Sequence, residues 1–365
     1  MTKDAIVVGG GVIGCSIAWR LAQAGVKVTL VERVRIGQEA SWAAAGMLGP
    51  HAEAGGRDAF FKLGLKSREI WPAFADELKE STGIDVEYRS EGGLFVSVTP
   101  TDPEFDEWLA WQNTAGLELR TVSVDELRRL EPQISPFAAR AVFIPGEHQV
   151  ENRLVMKALA KAIHSCGVHA IEGREVGGLV LEGGRVKGVL AGGDRIEAEH
   201  VVVAAGCWSS SLLKPLGLNA EVVPARGQML AVRGPKLNHL VHSSNCYLVP
   251  RRDGRLLIGA TVEYAGFEKA LTVSGVSSLL EPARRLVPSI DDATIVESWS
   301  GLRPDTGDHL PIIGPTGVEG LTLAIGHFRN GILFTPITAA LVSESILSGR
   351  SPAELRPFNV ARFSA

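Results

Sequence analysis

Gly9-Gly10-Gly11-Val12-Ile13-Gly14 has the G-x-G-x-x-G spacing that brings a phosphate against a protein backbone. In that spacing the first glycine permits a tight turn, and the second lets a pyrophosphate approach the main chain. The third lets a helix pack closely on a strand, so that phosphates meet the unpaired N–H groups and positive dipole end of the helix. Glu32 follows eighteen residues after Gly14, where a carboxylate can accept a hydrogen bond from a ribose hydroxyl. The same acid opposes a 2′-phosphate and so disfavours NADP. A glycine-rich turn by itself is weak evidence. Here a strand, a helix, a second strand and an acidic terminus fall in register, and together they read as a dinucleotide site.

Those elements can be followed along the chain. Residues 4–8 form a short apolar run typical of a strand buried on both faces, and residues 12–24 a helix closed by Gly25. A second buried strand, 27–31, ends at Glu32 and completes a βαβ unit. Residues 34–49 are rich in Ala and Gly without a clear period, which places them at the seam around the cofactor. From 51 to 144 the texture becomes mixed α+β, with helices expected at 60–82, 102–115 and 124–130 around a strand at 93–98. An amphipathic helix is expected at 151–166, then strands at 168–172, 175–181 and 185–190, with a hairpin turn at Glu182-Gly183-Gly184. Residues 200–206 read as another buried strand closing on glycine, and 221–300 as alternating strands with a hairpin at Arg252-Asp253-Gly254 and a helix near 275–286. A strand at 321–325, a loop at 326–330 and a helix at 332–347 end the pattern. The fold class expected is α/β plus α+β. A Rossmann-like domain takes residues 1–50, 145–220 and 301–365, and a discontinuous antiparallel-sheet domain takes 51–144 and 221–300.

The bulk composition narrows the partners. A chain of 365 residues exceeds one ordinary core, and 45% apolar with 21% charged residues is that of a globular protein. A formal charge of −4 provides no broad basic field for nucleic acid, although local arginines can still bind an anionic substrate. The four cysteines lack metal or CxxC spacing and read as reduced thiols of a cytosolic protein. Cys15, Cys166 and Cys207 are expected in the core, with Cys246 left open. Arg20 interrupts the apolar N-terminus and no cleavage pattern follows, which argues against a signal peptide; no apolar run is long enough to span a membrane. The glycine motif together with related segments at 200–206 and 321–334 suits a ligand held by distant parts of the chain. That favours the longer FAD and leaves NAD open on these grounds.

Four motifs carry a family resemblance. Glu39-Ala-Ser-Trp-Ala-Ala-Ala-Gly-Met47, Tyr247-Leu-Val-Pro-Arg251, Gly301-Leu-Arg-Pro-Asp305 and Gly326-His-Phe-Arg-Asn-Gly-Ile-Leu333 resemble the glycine oxidase family, within the D-amino-acid oxidase and sarcosine oxidase superfamily of flavoproteins. The resemblance runs almost end to end. It implies an FAD domain with a βαβ core and a substrate domain whose antiparallel sheet covers the flavin. It also implies oxidative deamination of glycine, sarcosine, D-alanine or D-proline, in which amine, O2 and water give a keto or aldehyde acid, ammonia or amine, and hydrogen peroxide. A homotetramer and a role in supplying thiazole for thiamine synthesis follow from the same likeness.

Roles then attach to particular residues. The planar two-pronged guanidinium of Arg303 matches a substrate carboxylate, against the alternative of a surface salt bridge. Tyr247 can donate its hydroxyl to that carboxylate while its ring walls the pocket, or can simply pack. Arg329 supports substrate or flavin, or ties its loop down. Met47 flanks the isoalloxazine or fills core; Ser41, Ala44, Ala45 and Gly46 bring backbone or hydroxyl groups to FAD. Ala205 and Gly206 meet the adenosine side and Val176 the adenine. Gly9, Gly11, Val12, Ile13 and Gly14 with Glu32 and Arg33 form the phosphate and ribose end, and His327, Asn330, Gly331, Ile332 and Leu333 the flavin end. A helix starting near Gly331 and Ile332 would aim its dipole at the flavin pyrimidine.

No metal site and no general base stand out, and a lone His such as His327 in this kind of loop is more often structural. The resemblance implies direct hydride transfer from the substrate Cα to flavin N5 with a neutral amine, which relies on alignment. Residues 327–333 contain no cysteine, unlike the sarcosine oxidase branch, so the FAD is expected to be non-covalent. Asn245-Cys246 and Val262-Glu263-Tyr264 beside the pocket can tune side-chain tolerance. Two other readings share the FAD site: a flavin dehydrogenase passing electrons to a quinone or carrier, and a non-catalytic FAD binder. A carboxylate clamp made of Arg303 and Tyr247 argues against the second.

Overall fold

The computed structural model describes residues 4–53, 58–114 and 117–363. Its centre is the strand Asp4–Val8, whose side chains alternate between two cores and are buried on both sides. Ala5 and Val7 join a cluster with the helices Val12–Gln23, Ala59–Thr82, Asn152–Ser165 and Thr335–Ser348. Ile6 and Val8 join the opposite cluster, under the hairpin strands Val176–Glu182 and Arg185–Ala191. A strand with no polar face needs neighbours in plane and cover above and below, the usual setting of a parallel strand. Asp4–Val8 accordingly pairs in parallel with Lys27–Val31 on one side and His200–Val203 on the other. The sheet continues through His169–Ile171 at one edge and through Leu321–Ile325 to the antiparallel Ile312–Pro315 at the other.

A second sheet of eight strands is largely antiparallel and runs from Thr294–Asp305 through Val223–Arg233, Arg255–Gly259, Tyr247–Pro250 and Leu240–His242 to Gly93–Ser97 and beyond. Its strands also alternate. Leu230 and Val232 face a cluster with the helix Val273–Leu286, whereas Met229 and Ala231 face Ala45 and Met47 from the first domain. One face of the sheet is therefore a core and the other is a wall turned to the seam. Among the described residues no helix is long and apolar enough to cross a membrane.

The Rossmann-like and antiparallel sheets are both present, with several local departures. The helix Ala59–Thr82, assigned from sequence to the second domain, packs its Phe60, Leu63, Trp71 and Leu78 into the core of the first. Its amphipathic period marks an apolar face and says nothing of which core receives it. The expected boundary at 301 falls inside the strand Thr294–Asp305, which stays in the eight-stranded sheet as far as Asp305. Six short strands, Met47–Leu48, Arg120–Val122, Arg140–Ile144, His148–Gln149, Asp194–Glu197 and Ile312–Pro315, were not expected; of these Asp194–Glu197 is a charged edge strand with almost no buried face. The strand expected at 200–206 stops at Val203, and the C-terminal helix begins at Thr335 instead of 332, after a 3-10 turn at Phe328–Asn330. Cys166 is exposed, while Cys246 is buried in the second-domain core.

Gly14 shows how tightly the first turn is closed. A Cβ placed there would lie 1.9 Å from the Gly9 carbonyl oxygen, so helix and strand meet only through glycine. Gly14→Ala is expected to cost about 1–3 kcal/mol of stability through overpacking. Gly177→Ala, where a Cβ meets nothing within 4 Å, should leave the melting temperature unchanged. Equal melting temperatures for the two variants would contradict this account.

Candidate active site

The glycine turn delivers backbone to a cavity. Gly9 has φ +108°, and a Cβ there would sit 2.4 Å from the Ala204 carbonyl oxygen, so the turn and the strand end at Val203 touch main chain to main chain. Gly11, Val12 and Ile13 then open the helix into a cavity of about 600 Å³. The first helical N–H, of Val12, donates to Ser41 Oγ at 2.9 Å. Glu32 turns its carboxylate inward, accepting N–H bonds from Gly10 (2.7 Å) and Val34 (3.0 Å). Both oxygens keep lone pairs and the residue still borders the cavity, so holding the turn and reaching a ribose are compatible. Arg33 beside it pairs with Glu39 at 3.1 Å and stacks over the Trp208 ring at 4.0 Å.

The seam segment is held by its carbonyls. Asn152 donates to the carbonyls of Ser41 (2.8 Å) and Trp42 (2.9 Å), and the Trp299 indole N–H to that of Ala43 (3.0 Å). Arg251, buried, donates to the carbonyls of Ala45 (2.6 Å) and Val150 (2.8 Å) and pairs with Glu151 at 3.2 Å. Burial pulls its guanidinium down to about 10, with Glu151 opposing the shift, so it stays charged at neutral pH. Gly46 has φ +70°, and a Cβ there would meet the Val150 carbonyl at 2.0 Å. Sequence marked Arg251 only as part of a motif; its partners lie about a hundred or more positions away.

At the far end the second sheet supplies the side chains. Arg303 lies flat over Gly227, where a Cβ would be 2.2 Å from Nη1, and Nη1 donates to the Thr261 carbonyl at 2.9 Å. Tyr247 lies over Gly259 in the same manner, with a hypothetical Cβ 2.4 Å from the ring; the two residues are paired across adjacent strands. Two bare strand positions thus give the guanidinium and the phenol their seats on the cavity wall. Arg329 reaches the same cavity from the C-terminal loop, where Phe328 is held at φ +45°. His327 is buried with Nε2 3.1 Å from Thr338 Oγ1, and burial lowers it to about 3, so it is neutral.

Most sequence-expected residues meet here. Ala44, Ala45, Gly46, Met47, Val176, Ala205, Gly206, Gly331 and Ile332 all border the cavity, and Asn245, Cys246 and Val262 join them. Gly14, Asn330 and Leu333 do not. Gly14 sits at the helix–strand contact, and the Leu333 carbonyl accepts bonds from Ser67 and the Trp71 indole. Glu263 and Tyr264 also point elsewhere, toward Arg226 and Asp305. Sequence reasoning missed His242 and the stacked Phe95–Trp108 pair on the same wall, because strand pairing across about 150 positions brings them together.

Residues 4–345 match the model of a family described as FAD dependent oxidoreductase. The chain belongs to that family. The glycine oxidase of Bacillus licheniformis is 36% identical over 348 residues, covering 94% of this chain and 93% of that protein. The bifunctional protein ThiO/ThiG of Trichormus variabilis is 37% identical over all of this chain, which spans 55% of its length. The crystal structure of glycine oxidase from Geobacillus kaustophilus superposes with TM-score 0.93 at 36% identity, covering 99% of both chains. As an FAD dependent oxidoreductase, the chain offers a fitting cradle: bare glycine backbone at a helix start, an acid beside it, and one continuous cavity from there to Arg303.

The Arg251 brace is testable. Arg251→Leu leaves Arg255, at 3.2 Å, as the remaining cation beside the buried Glu151 and strips the Ala45 and Val150 carbonyls of that donor, with an expected loss of about 1–3 kcal/mol for each carbonyl. Purified variant should melt earlier and carry substoichiometric flavin by absorbance. Full flavin content at wild-type melting temperature would show that the seam is held by other means.

Proposed function

We propose that this chain is an FAD-dependent oxidase of glycine and other small amino acids and amines, including sarcosine, D-alanine and D-proline. The observation that carries the reading is the pair of glycine-seated side chains, Arg303 and Tyr247, on the wall of the cavity that starts at the phosphate turn. A planar guanidinium answers a carboxylate with two parallel N–H bonds, and the phenol adds a third donor. Gly9, Gly11, Val12, Ile13, Glu32 and the 41–47 segment would hold the cofactor, with Gly331 and Ile332 at its other end. Bound FAD would supply an acceptor for the substrate Cα hydride and a route for its electrons to O2, giving hydrogen peroxide.

The chain's own task is alignment. Arg303 and Tyr247 fix the carboxylate, and apolar Met47 and Met229 keep water from that wall. Neutral His327 adds no charge beside them. The product imine hydrolyses to a 2-oxo acid, glyoxylate from glycine, with release of ammonia or the amine. We place the reaction in the supply of thiazole for thiamine and the working form as a cytoplasmic homotetramer, in line with the family resemblance.

Oxygen uptake by the purified yellow protein with glycine, sarcosine, D-alanine and D-proline in turn tests the reading. Uptake with peroxide is expected; anaerobic bleaching without uptake would instead indicate a dehydrogenase, and no bleaching would remove the catalytic reading. Arg303→Ala should lower kcat/KM for glycine about 10²-fold, chiefly through KM, with flavin content intact. Acid precipitation should leave all yellow colour in the supernatant, because no cysteine lies in residues 327–333. Colour in the pellet would contradict the non-covalent assignment.

A further inference from the structure

The wall that carries Tyr247 also carries a buried acid–imidazole pair that the reading above does not use. His242 is the Cα partner of Tyr247 across adjacent antiparallel strands, so both side chains lie on one face of the sheet, and His242 borders the cavity. Its Nε2 is 3.4 Å from Glu147 Oε2. The Glu147 side chain has 0% exposure, and neither of its oxygens has a hydrogen-bond partner among the described residues. Leaving a carboxylate so enclosed is expensive unless an opposite charge can form beside it.

Access to that carboxylate is arranged by glycine on two sides. A Cβ on Gly49 would meet Glu147 Oε2 at 1.9 Å, and one on Gly93 would meet the Glu147 Cβ at 2.9 Å. Gly49, just past the seam strand Met47–Leu48, and the sheet thus close over the acid, and the His242 imidazole borders both it and the cavity. With the acid ionised, the imidazole keeps a proton on Nε2, toward the carboxylate, and its Nδ1 lone pair is free to accept another.

The charged surroundings support this assignment. The strand Gly93–Ser97 sets uncharged Phe95 opposite His242, and the strand Tyr247–Pro250 sets Tyr247 there. Around Glu147 stand His51 and Arg68; the Arg68 guanidinium donates to the Gly146 carbonyl at 3.0 Å and lies 3.5 Å from His51 Nδ1. Neighbouring His148 is engaged with the Tyr88 hydroxyl at 2.7 Å, and Glu104 borders the same cavity from the helix Pro103–Thr114. Burial pushes the Glu147 carboxyl up, but His242, followed by His51 and Arg68, outweighs it and holds the group below its ordinary value. Burial keeps His51 low, and hence neutral.

We propose that His242, oriented by Glu147, accepts the proton of the substrate ammonium group so that the neutral amine is the species oxidised. This rests on the amine oxidase reading. In the step an N–H bond of the ammonium breaks, its electron pair stays on the substrate nitrogen, and a new N–H bond forms at Nδ1. The imidazolium charge is then compensated by Glu147, and the proton leaves to water through the cavity mouth.

The test is the pH profile of kcat/KM for glycine, measured by oxygen uptake on FAD-loaded enzyme. Protonated His242 cannot accept a proton, so activity falls on the acidic side. Glu147→Gln removes the anion that compensates the imidazolium formed in this step, and the acidic limb should move down by about one pH unit. His242→Gln leaves deprotonation to the solvent; the limb should move up toward the free ammonium, with kcat/KM at pH 7 falling about 10²-fold. Glu147→Asp, which keeps the charge, should hold the limb in place. Opposite displacements in the first two variants support the assignment. A limb unmoved in both, with only melting temperature and overall rate reduced, shows a purely structural pair and overturns it. If His242→Gln alone folds, its limb decides. Wild-type enzyme that oxidises no amine overturns the oxidase reading and this one together, whereas active wild type with an unmoved limb overturns this one alone.

Discussion

The seam between the two sheets depends on backbone carbonyls that have no regular secondary structure to satisfy them. Residues 41–46 belong neither to the parallel sheet nor to the antiparallel one, yet they border the cavity along much of its length. A buried carbonyl without a donor costs about 1–3 kcal/mol, and the one-turn helix Ala40–Ala43 leaves its last carbonyls without partners of its own. Asn152, Trp299 and Arg251 supply the donors, from the helix Asn152–Ser165, the strand Thr294–Asp305 and the position just past the strand Tyr247–Pro250. The same bonds that define the cofactor wall therefore also fix how the sheets meet.

From that constraint the rest follows in order. With the seam in place, the glycine turn can offer its helix start to phosphates from one side. The antiparallel sheet can present Arg303, Tyr247 and His242 from the other. Both ends use the same device, a missing Cβ. Gly9 lets two backbones touch, and Gly227 and Gly259 let a guanidinium and a ring lie flat on a sheet. Glycine in a strand interior weakens it and is often a sign of such close approach.

What was legible in the sequence follows the range of the physics involved. Local signals gave the βαβ unit, because the apolar run 4–8, the glycine spacing and Glu32 all act within about 30 residues. The cavity residues of the last motif were legible through the family resemblance, apart from Asn330 and Leu333, which do not line the cavity. The helix Ala59–Thr82 was visible as a helix, but its destination was not, since an apolar face fits either core. The clamp seats, the Arg251 brace and the Glu147–His242 pair arise from strand pairings between distant segments. No local period encodes those pairings; only the four family motifs hinted at some of them.

The carboxylate of Glu32 has a thermodynamic consequence. By accepting the N–H groups of Gly10 and Val34, it latches the phosphate turn to the end of the second strand within the protein itself. Six glycine-rich positions that would otherwise sample many conformers are already ordered, and that loss of chain entropy is charged to folding and not to ligand capture. The turn meets a dinucleotide as a finished mould, so its contacts register almost fully as affinity.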